Sequence, residues 1–257
     1  MSERLLDGSE TTERGRPSPV PGFVMGRGKG RTMTPSSKSD APEGVTGRFG
    51  KGWTVAKPWP VTLRDDTSAG TVVLRPLRRR DAGDWSRLRA ENAAWLERWE
   101  ATAPGANRYI ASTFGEYVRS LGAQARAGTS LPFGVELDGA LVGQLTVSSI
   151  TWGSLCSASI GYWVSQSVAG RGVIPTGVAM AVDYAFFLGL HRIEINIRPE
   201  NKPSLRVVEK LGLRDEGVRE RFLHIQGQWR DHRTFAVTSE EVPQGLLARW
   251  QRIREAG

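Results

Sequence analysis

The sequence predicts an α/β (α+β) protein, with one mixed, mostly antiparallel sheet of about seven strands flanked by helices. Three observations predict it. Residues 132–149 are two apolar runs around Asp138-Gly139, a strong short-range hairpin signal, and Trp152-Gly153-Ser154 turns them into a third run at 157–164. In that third run Ile160, Tyr162 and Val164 alternate around Trp163; it breaks into the small-residue turn Ala169-Gly170-Arg171-Gly172 and then a long apolar stretch with helical potential, 173–188. Beyond it a short alternating strand, a helix and a closing hairpin follow one another.

Taken in order, residues 1–58 are expected to be a disordered tail and 59–257 one folded domain. The first 52 residues hold ten glycines, five prolines and six serines, with too few aliphatic side chains for a core. Within them, 26–31 alternates glycine with Arg27, Lys29 and Arg31, a pattern open to RNA contact or to a plain floppy tail. Residues 53–67 read as a transition, and 71–77 as a first strand ended by Pro76. Asp81 is expected to cap a first helix, in which Trp85, Leu88 and Arg89 recur at i, i+3 and i+4. A second helical piece, 93–101, carries Trp95, Leu96 and Trp99 and is broken by Pro104-Gly105. Phe114, Tyr117, Val118, Leu121 and Ala125 give 112–127 one apolar helical face. After the meander and the glycine turn come a strand at 192–197 and a helix at 201–211, with Gly212 as its stop. Hairpin strands at 213–225 and 229–238 and a last amphipathic helix from Pro243 to about Glu255 complete the chain.

A chain of 257 residues with 39% apolar and 24% charged side chains fits a soluble globular protein. No stretch approaches 18 uninterrupted apolar residues, and the first thirty lack a signal-peptide core, so neither membrane nor export is expected. The single cysteine, Cys156, forms no internal disulfide and reads as an inert apolar residue, which makes the cytoplasm the natural compartment. A net charge of +8 and a pI near 10.1 favour acidic surroundings: nucleic acid, a ribosome or a phosphorylated cofactor. Arg78-Arg79-Arg80 is either a solvated helix entrance or a small nucleic-acid patch. His191, His224 and His232 show no metal spacing, and no metal is expected.

Strand, glycine turn, helix is how a chain offers backbone N–H groups at the positive end of a helix dipole to a phosphate. With only Gly170 and Gly172, this turn is neither the dinucleotide fingerprint nor a Walker loop, and an ordinary turn is the alternative.

Six pieces in order carry a resemblance: IGYWV at 160–164, Gly170-Arg171-Gly172, RPENKPS at 198–204, EKLGL at 209–213, Glu216-Gly217 and GQWRDH at 227–232. Together they resemble the GNAT N-acetyltransferases, and among them the RimJ/RimL type that acetylates ribosomal-protein N-termini. The resemblance spans roughly 71–242. It implies a sheet splayed between the fourth and fifth predicted strands (157–164 and 192–197), with acetyl-CoA lying there as co-substrate. The CoA diphosphate would meet the backbone N–H groups of Gly170, Arg171, Gly172 and Val173. The Arg171 side chain would either add a cation or point to solvent. The family often carries Gln or Arg where this chain has Ser167, so the diphosphate would be held more loosely or by backbone alone. The backbone of Trp163 and Val164 would pair with the pantetheine, and the Val164 N–H would stabilise an oxyanion. Asn201 would hydrogen-bond the cofactor, or serve as a plain N-cap; Ser204 would help reprotonate the thiolate, or be a first-turn residue.

The implied acceptor is a protein N-terminus, possibly of a ribosomal protein near rRNA, with the enzyme a monomer or a dimer. An α-amine has a pKa of about 7.7–8, so it asks little of a general base. Glu220 is the candidate, against a surface glutamate between Arg219 and Arg221; Tyr162 is a second candidate for proton handling, against a core tyrosine. Two rivals stand beside this reading: acetylation of a small amine such as an antibiotic, and a CoA-binding, ribosome-associated module with little catalysis.

Overall fold

The computed structural model describes residues 59–104 and 113–256. The expected tail at 1–58, with its glycine–cation alternation, and the Gly105 and Ser112 boundaries lie outside the described residues.

One sheet organises the chain. Its strands are β1 (Leu63–Thr67), β2 (Gly70–Pro76), β3 (Leu131–Leu137), β4 (Ala140–Thr151), β5 (Ser157–Val164), β6 (Arg192–Ile197), β7 (Arg214–Ile225) and β8 (Gln228–Thr238). They lie in the order β1-β2-β3-β4-β5-β6-β8-β7, antiparallel everywhere except between β5 and β6. The mixed α/β expectation holds, with eight described strands rather than about seven. The extra one is β1, inside the stretch read as a transition; its two adjacent aspartates hide the alternation, yet it pairs with β2 from Leu63↔Leu74 to Thr67↔Gly70.

Six helices among the described residues flank the sheet: α1 (Ala82–Glu91), α2 (Ala93–Leu96), α3 (Phe114–Arg126), α4 (Val173–Phe187), α5 (Lys202–Leu211) and α6 (Leu246–Ala256). On one face, α4 is buried without a break from Val173 to Val182, which is why its sequence reads as continuously apolar. It packs with Leu74, Phe133, Leu145, Ile193, Ile195 and Leu246 into the larger core. A smaller cluster, Leu77, Trp85, Leu88 and Leu141 with Phe114, Tyr117 and Trp163, holds α1 and α3 to the other face.

Two helix entrances differ from expectation. The Asp81 carboxylate does not cap α1; it accepts from Arg75 Nη1 and Nη2 at 2.7 and 3.0 Å and from the Arg78 N–H at 2.7 Å. Arg75 also pairs with Glu136 at 2.6 Å, so this buried cation is matched on both sides. Helix α6 begins at Leu246 rather than Pro243, because Asp183 of α4 supplies its cap. That carboxylate accepts from the Leu246 and Leu247 N–H groups at 2.6 and 3.0 Å. Burial pushes the Asp183 pKa above its ordinary value, against the pull of those two donors.

Candidate active site

Strand β5 is paired along nearly its whole length on one side, with one irregularity at Ala158, and barely on the other. Toward β4 the register runs from Gly143↔Val164 to Thr151↔Ser157. Toward β6 it consists of Ser157↔Arg192, Ala158↔Ile193 and Ser159↔Glu194, and then the strands part. Residues 160–164 therefore have a bare backbone edge facing β6, whose other side is taken by β8 from Arg192 to Ile197.

The register decides which groups face that opening. Ser165 N–H donates to the Val142 carbonyl at 2.8 Å, which makes Gly143↔Val164 a non-hydrogen-bonded pair. Both polar groups of Val164 thus turn away from β4, toward the opening, and those of Trp163 turn to β4. Of the two residues expected to meet the pantetheine, Val164 alone presents its backbone there. Its carbonyl accepts from the Trp95 indole N–H at 3.3 Å, leaving the N–H on that edge. The Trp163 ring instead anchors the front layer, edge-on to Trp85 at 5.2 Å with the Arg89 guanidinium 5.3 Å from its centre.

At the end of β5 the chain is held by Asn92, a buried residue that sequence reasoning passed over. Its side chain bonds Ser165 Oγ, and its Oδ1 accepts from the Gln166 N–H at 2.8 Å. The turn then rises to α4 through Gly170 (φ +83°) and Gly172 (φ +84°), left-handed positions that favour glycine. The Arg171 N–H points back to the Val168 carbonyl at 3.4 Å. Those of Gly170, Gly172 and Val173 have no partner among the described residues. The Arg171 side chain is exposed, and its Nη2 donates to the Ala69 carbonyl in the β1–β2 turn at 3.0 Å. Ser167 Oγ sits 3.0 Å from Ser165 Oγ, inside the same turn.

Across the opening lies the start of α5. Asn201 is its N-cap, with Oδ1 accepting from the Ser204 N–H at 3.3 Å, and Ser204 Oγ has no partner among the described residues. The Tyr162 hydroxyl reaches from β5 to the Ser204 carbonyl at 3.5 Å. Burial pushes the Tyr162 pKa well above its ordinary value, so the phenol is a protonated donor. The structure thus links Tyr162 of β5 to Ser204 and Asn201 at the start of α5, with Val164 two residues further along the same open edge. Glu220 stands apart, exposed on β7 where the register with β8 slips between Arg219 and Leu223, and bonds none of them. Among the described residues no group of three or more His, Cys, Asp or Glu side chains is arranged to hold a metal. None of the described helices is long and apolar enough to cross a membrane.

A profile of the acetyltransferase (GNAT) domain matches residues 71–214, more than half of the chain. The chain belongs to the GNAT acetyltransferase family. Among curated relatives, a probable N-acetyltransferase of Bacillus subtilis, YjcK, is 32% identical over 184 residues, covering 68% of this chain and 97% of its own. The alanine N-acetyltransferase for ribosomal protein uS5 of Escherichia coli is 28% identical over 177 residues, covering 68% and 91%. Among solved structures, Mycobacterium smegmatis RimJ in complex with CoA-disulfide superposes with a TM-score of 0.71 at 43% identity, covering 76% of this chain and 95% of that one.

Proposed function

We propose that this GNAT enzyme moves the acetyl group of acetyl-CoA directly to a primary amine, the N-terminal α-amine of a protein. The observation that carries the reading is the unpaired edge of β5 running into a two-glycine turn at the start of α4. The residues present fit the co-substrate. A Cβ at Gly170 would meet nothing within 4 Å, so the turn is open, and three N–H groups around it lack partners among the described residues. Bound acetyl-CoA would supply the activated acetyl thioester. Gly170, Gly172 and Val173 would hold its diphosphate, and the Val164 N–H would receive the developing negative charge of the acetyl oxygen. Asn201 would orient Ser204 through the α5 N-terminus, Ser204 would deliver a proton to the departing sulfur, and the Tyr162 hydroxyl would steady Ser204 through its carbonyl.

A protein acceptor, and a ribosomal one in particular, is supported by the names of the uS5 and RimJ relatives. It would place the work of the enzyme in the cytoplasm, with the basic charge suiting the neighbourhood of rRNA. A neutral α-amine needs only a weak base, for which Glu220 acting through water remains the candidate. The test is thiol release from acetyl-CoA with N-terminal peptides, lysine peptides and aminoglycosides side by side. Turnover is expected with α-amine peptides; turnover confined to small amines would move the acceptor class, and binding of CoA without any turnover would reduce the protein to a binding module. Glu220→Gln should lower kcat/KM for peptide by about tenfold or more, and an unchanged value would remove it from proton handling.

A further inference from the structure

The match to the family domain stops at residue 214 and starts at 71, yet the glycine turn is braced by elements outside both limits. From below, Trp250 of α6 brings Cζ2 to within 3.6 Å of where a Cβ on Gly172 would stand. Its indole N–H donates to Thr176 Oγ1, one turn into α4, at 2.9 Å, with Trp250 5% and Thr176 0% exposed. From the side, Arg171 ties the turn to the Ala69 carbonyl. These two braces are joined: Asp65 of β1 accepts from Gln251 at 2.7 Å and Arg254 at 3.0 Å, both on α6. Arg254 in turn covers the Trp250 ring at 5.8 Å. The first turn of α6 is fixed to α4 by Asp183.

We infer that Trp250 is a positioning residue for the diphosphate turn: α6, locked to β1, holds Gly172 and the first turn of α4 in the shape that receives CoA. The inference rests on the reading of this turn as the diphosphate site. The physical reason is preorganisation. Two glycines give the turn the φ values it needs but also the freedom to leave them. A turn that wanders must be ordered again when the ligand arrives, and that cost is subtracted from affinity. A rigid ring packed beneath Gly172 and bonded to Thr176 removes the freedom beforehand. Nothing in the chemistry of acetyl transfer touches Trp250, so its effect falls on binding and not on the turnover of bound substrate.

The test titrates CoA into the full-length protein by calorimetry and measures kcat and KM for acetyl-CoA in parallel. Trp250→Phe loses both the donor and the outer ring; CoA should bind about tenfold more weakly, equivalent to about 1.4 kcal/mol, with kcat at saturation within about twofold. Thr176→Val keeps the shape and removes the acceptor, and should weaken CoA by about threefold even if Trp250→Phe does not fold. Ile193→Val, buried at the closed end of the β5–β6 pairing, serves as the stability control, with CoA affinity unchanged. Wild-type affinity in folded Trp250→Phe or Thr176→Val protein would overturn the inference. So would an equal loss in Ile193→Val at a matched drop in melting temperature, since the effect would then be general loosening. If the unaltered protein ignores CoA, the reading of the site itself falls, and the brace with it.

Discussion

The two edges of β5 are the instructive comparison. On the β4 edge every residue but Ala158 is paired, and closeness is the rule: a Cβ at Gly143 would lie 2.3 Å from the Trp163 carbonyl oxygen. On the β6 edge three residues pair and the remaining five do not. The same strand is therefore scaffold on one side and, in the proposed reading, receptor on the other. It can be both because an antiparallel strand turns alternate residues to opposite neighbours. Trp163 spends its backbone on the scaffold and Val164 keeps its own for the opening. If this division is right, the same kind of substitution should do different damage on the two edges.

The largest effect is expected on the closed edge. Gly143→Val would drive a side chain into the backbone of Trp163, which cannot swing aside as a side chain tip can. It should destabilise the protein by about 3 kcal/mol or prevent folding, read as a loss of cooperative urea unfolding. Stability close to wild type would mean that β4 and β5 are not zipped as described. On the open side, Gly172→Val would force a β-branched residue to φ +84° next to Trp250. Strain there costs about 1–3 kcal/mol, which the turn can relieve by changing shape. The fold should survive, while CoA affinity falls by about tenfold to hundredfold. A folded variant with unchanged affinity would contradict the diphosphate assignment.

Ser204→Ala comes next, and it separates chemistry from structure. Ser204 Oγ has no partner among the described residues, and the N-cap bond uses the Ser204 N–H, which alanine keeps. Stability should stay within about 0.5 kcal/mol, the usual range for a side chain with no special role. Turnover should fall by about tenfold or more with CoA affinity little altered, as expected for a group that acts on the leaving thiolate. Unchanged turnover would take Ser204 out of the mechanism.

What could be read in the sequence follows the range of the forces involved. The meander, α4 and the closing hairpin are legible because alternation, an apolar run and Asp138-Gly139 are local signals. The positive-φ glycines at 170 and 172 are local too, so the turn is legible as a turn. Strand β1 is not, because Asp65 is fixed by Gln251 and Arg254 from the far end of the chain, and no local pattern records that. The same holds for the start of α6, whose cap is Asp183 from another helix rather than a residue of its own. In the site, residue types are legible but directions are not. Whether Trp163 or Val164 faces the gap depends on the register set by Gly143 and Ser165, one residue of slip reversing the answer. Arg171 invites reading as a phosphate cation, and only the β1–β2 turn, itself unread, shows where it goes.

The smallest effect is expected at Tyr162, on the open edge, where β5 reaches toward α5. Its hydroxyl reaches the Ser204 carbonyl at 3.5 Å, the outer limit of a hydrogen bond. Such a bond is worth at most about 1 kcal/mol, so Tyr162→Phe should lower kcat by no more than about fivefold. Its pH behaviour is more telling. Burial raises the Tyr162 pKa above the ordinary value of 10, so the folded protein holds that proton more tightly than the unfolded chain does. The stability this contributes is full below about pH 10 and is lost as pH climbs through the folded pKa. Tyr117, pushed up to about 12 by burial, adds a loss of the same sign, but it is present in both proteins and drops out of their comparison. Between pH 8 and about 10.5, wild type should therefore lose more of its urea midpoint than Tyr162→Phe. Equal losses would show that the phenol is in contact with water and that the gap at this point is wide. In the rate profile, the phenol stays protonated across the assay range and contributes no limb of its own; activity with peptides should rise through about 7.7–8, where the acceptor amine gives up its proton.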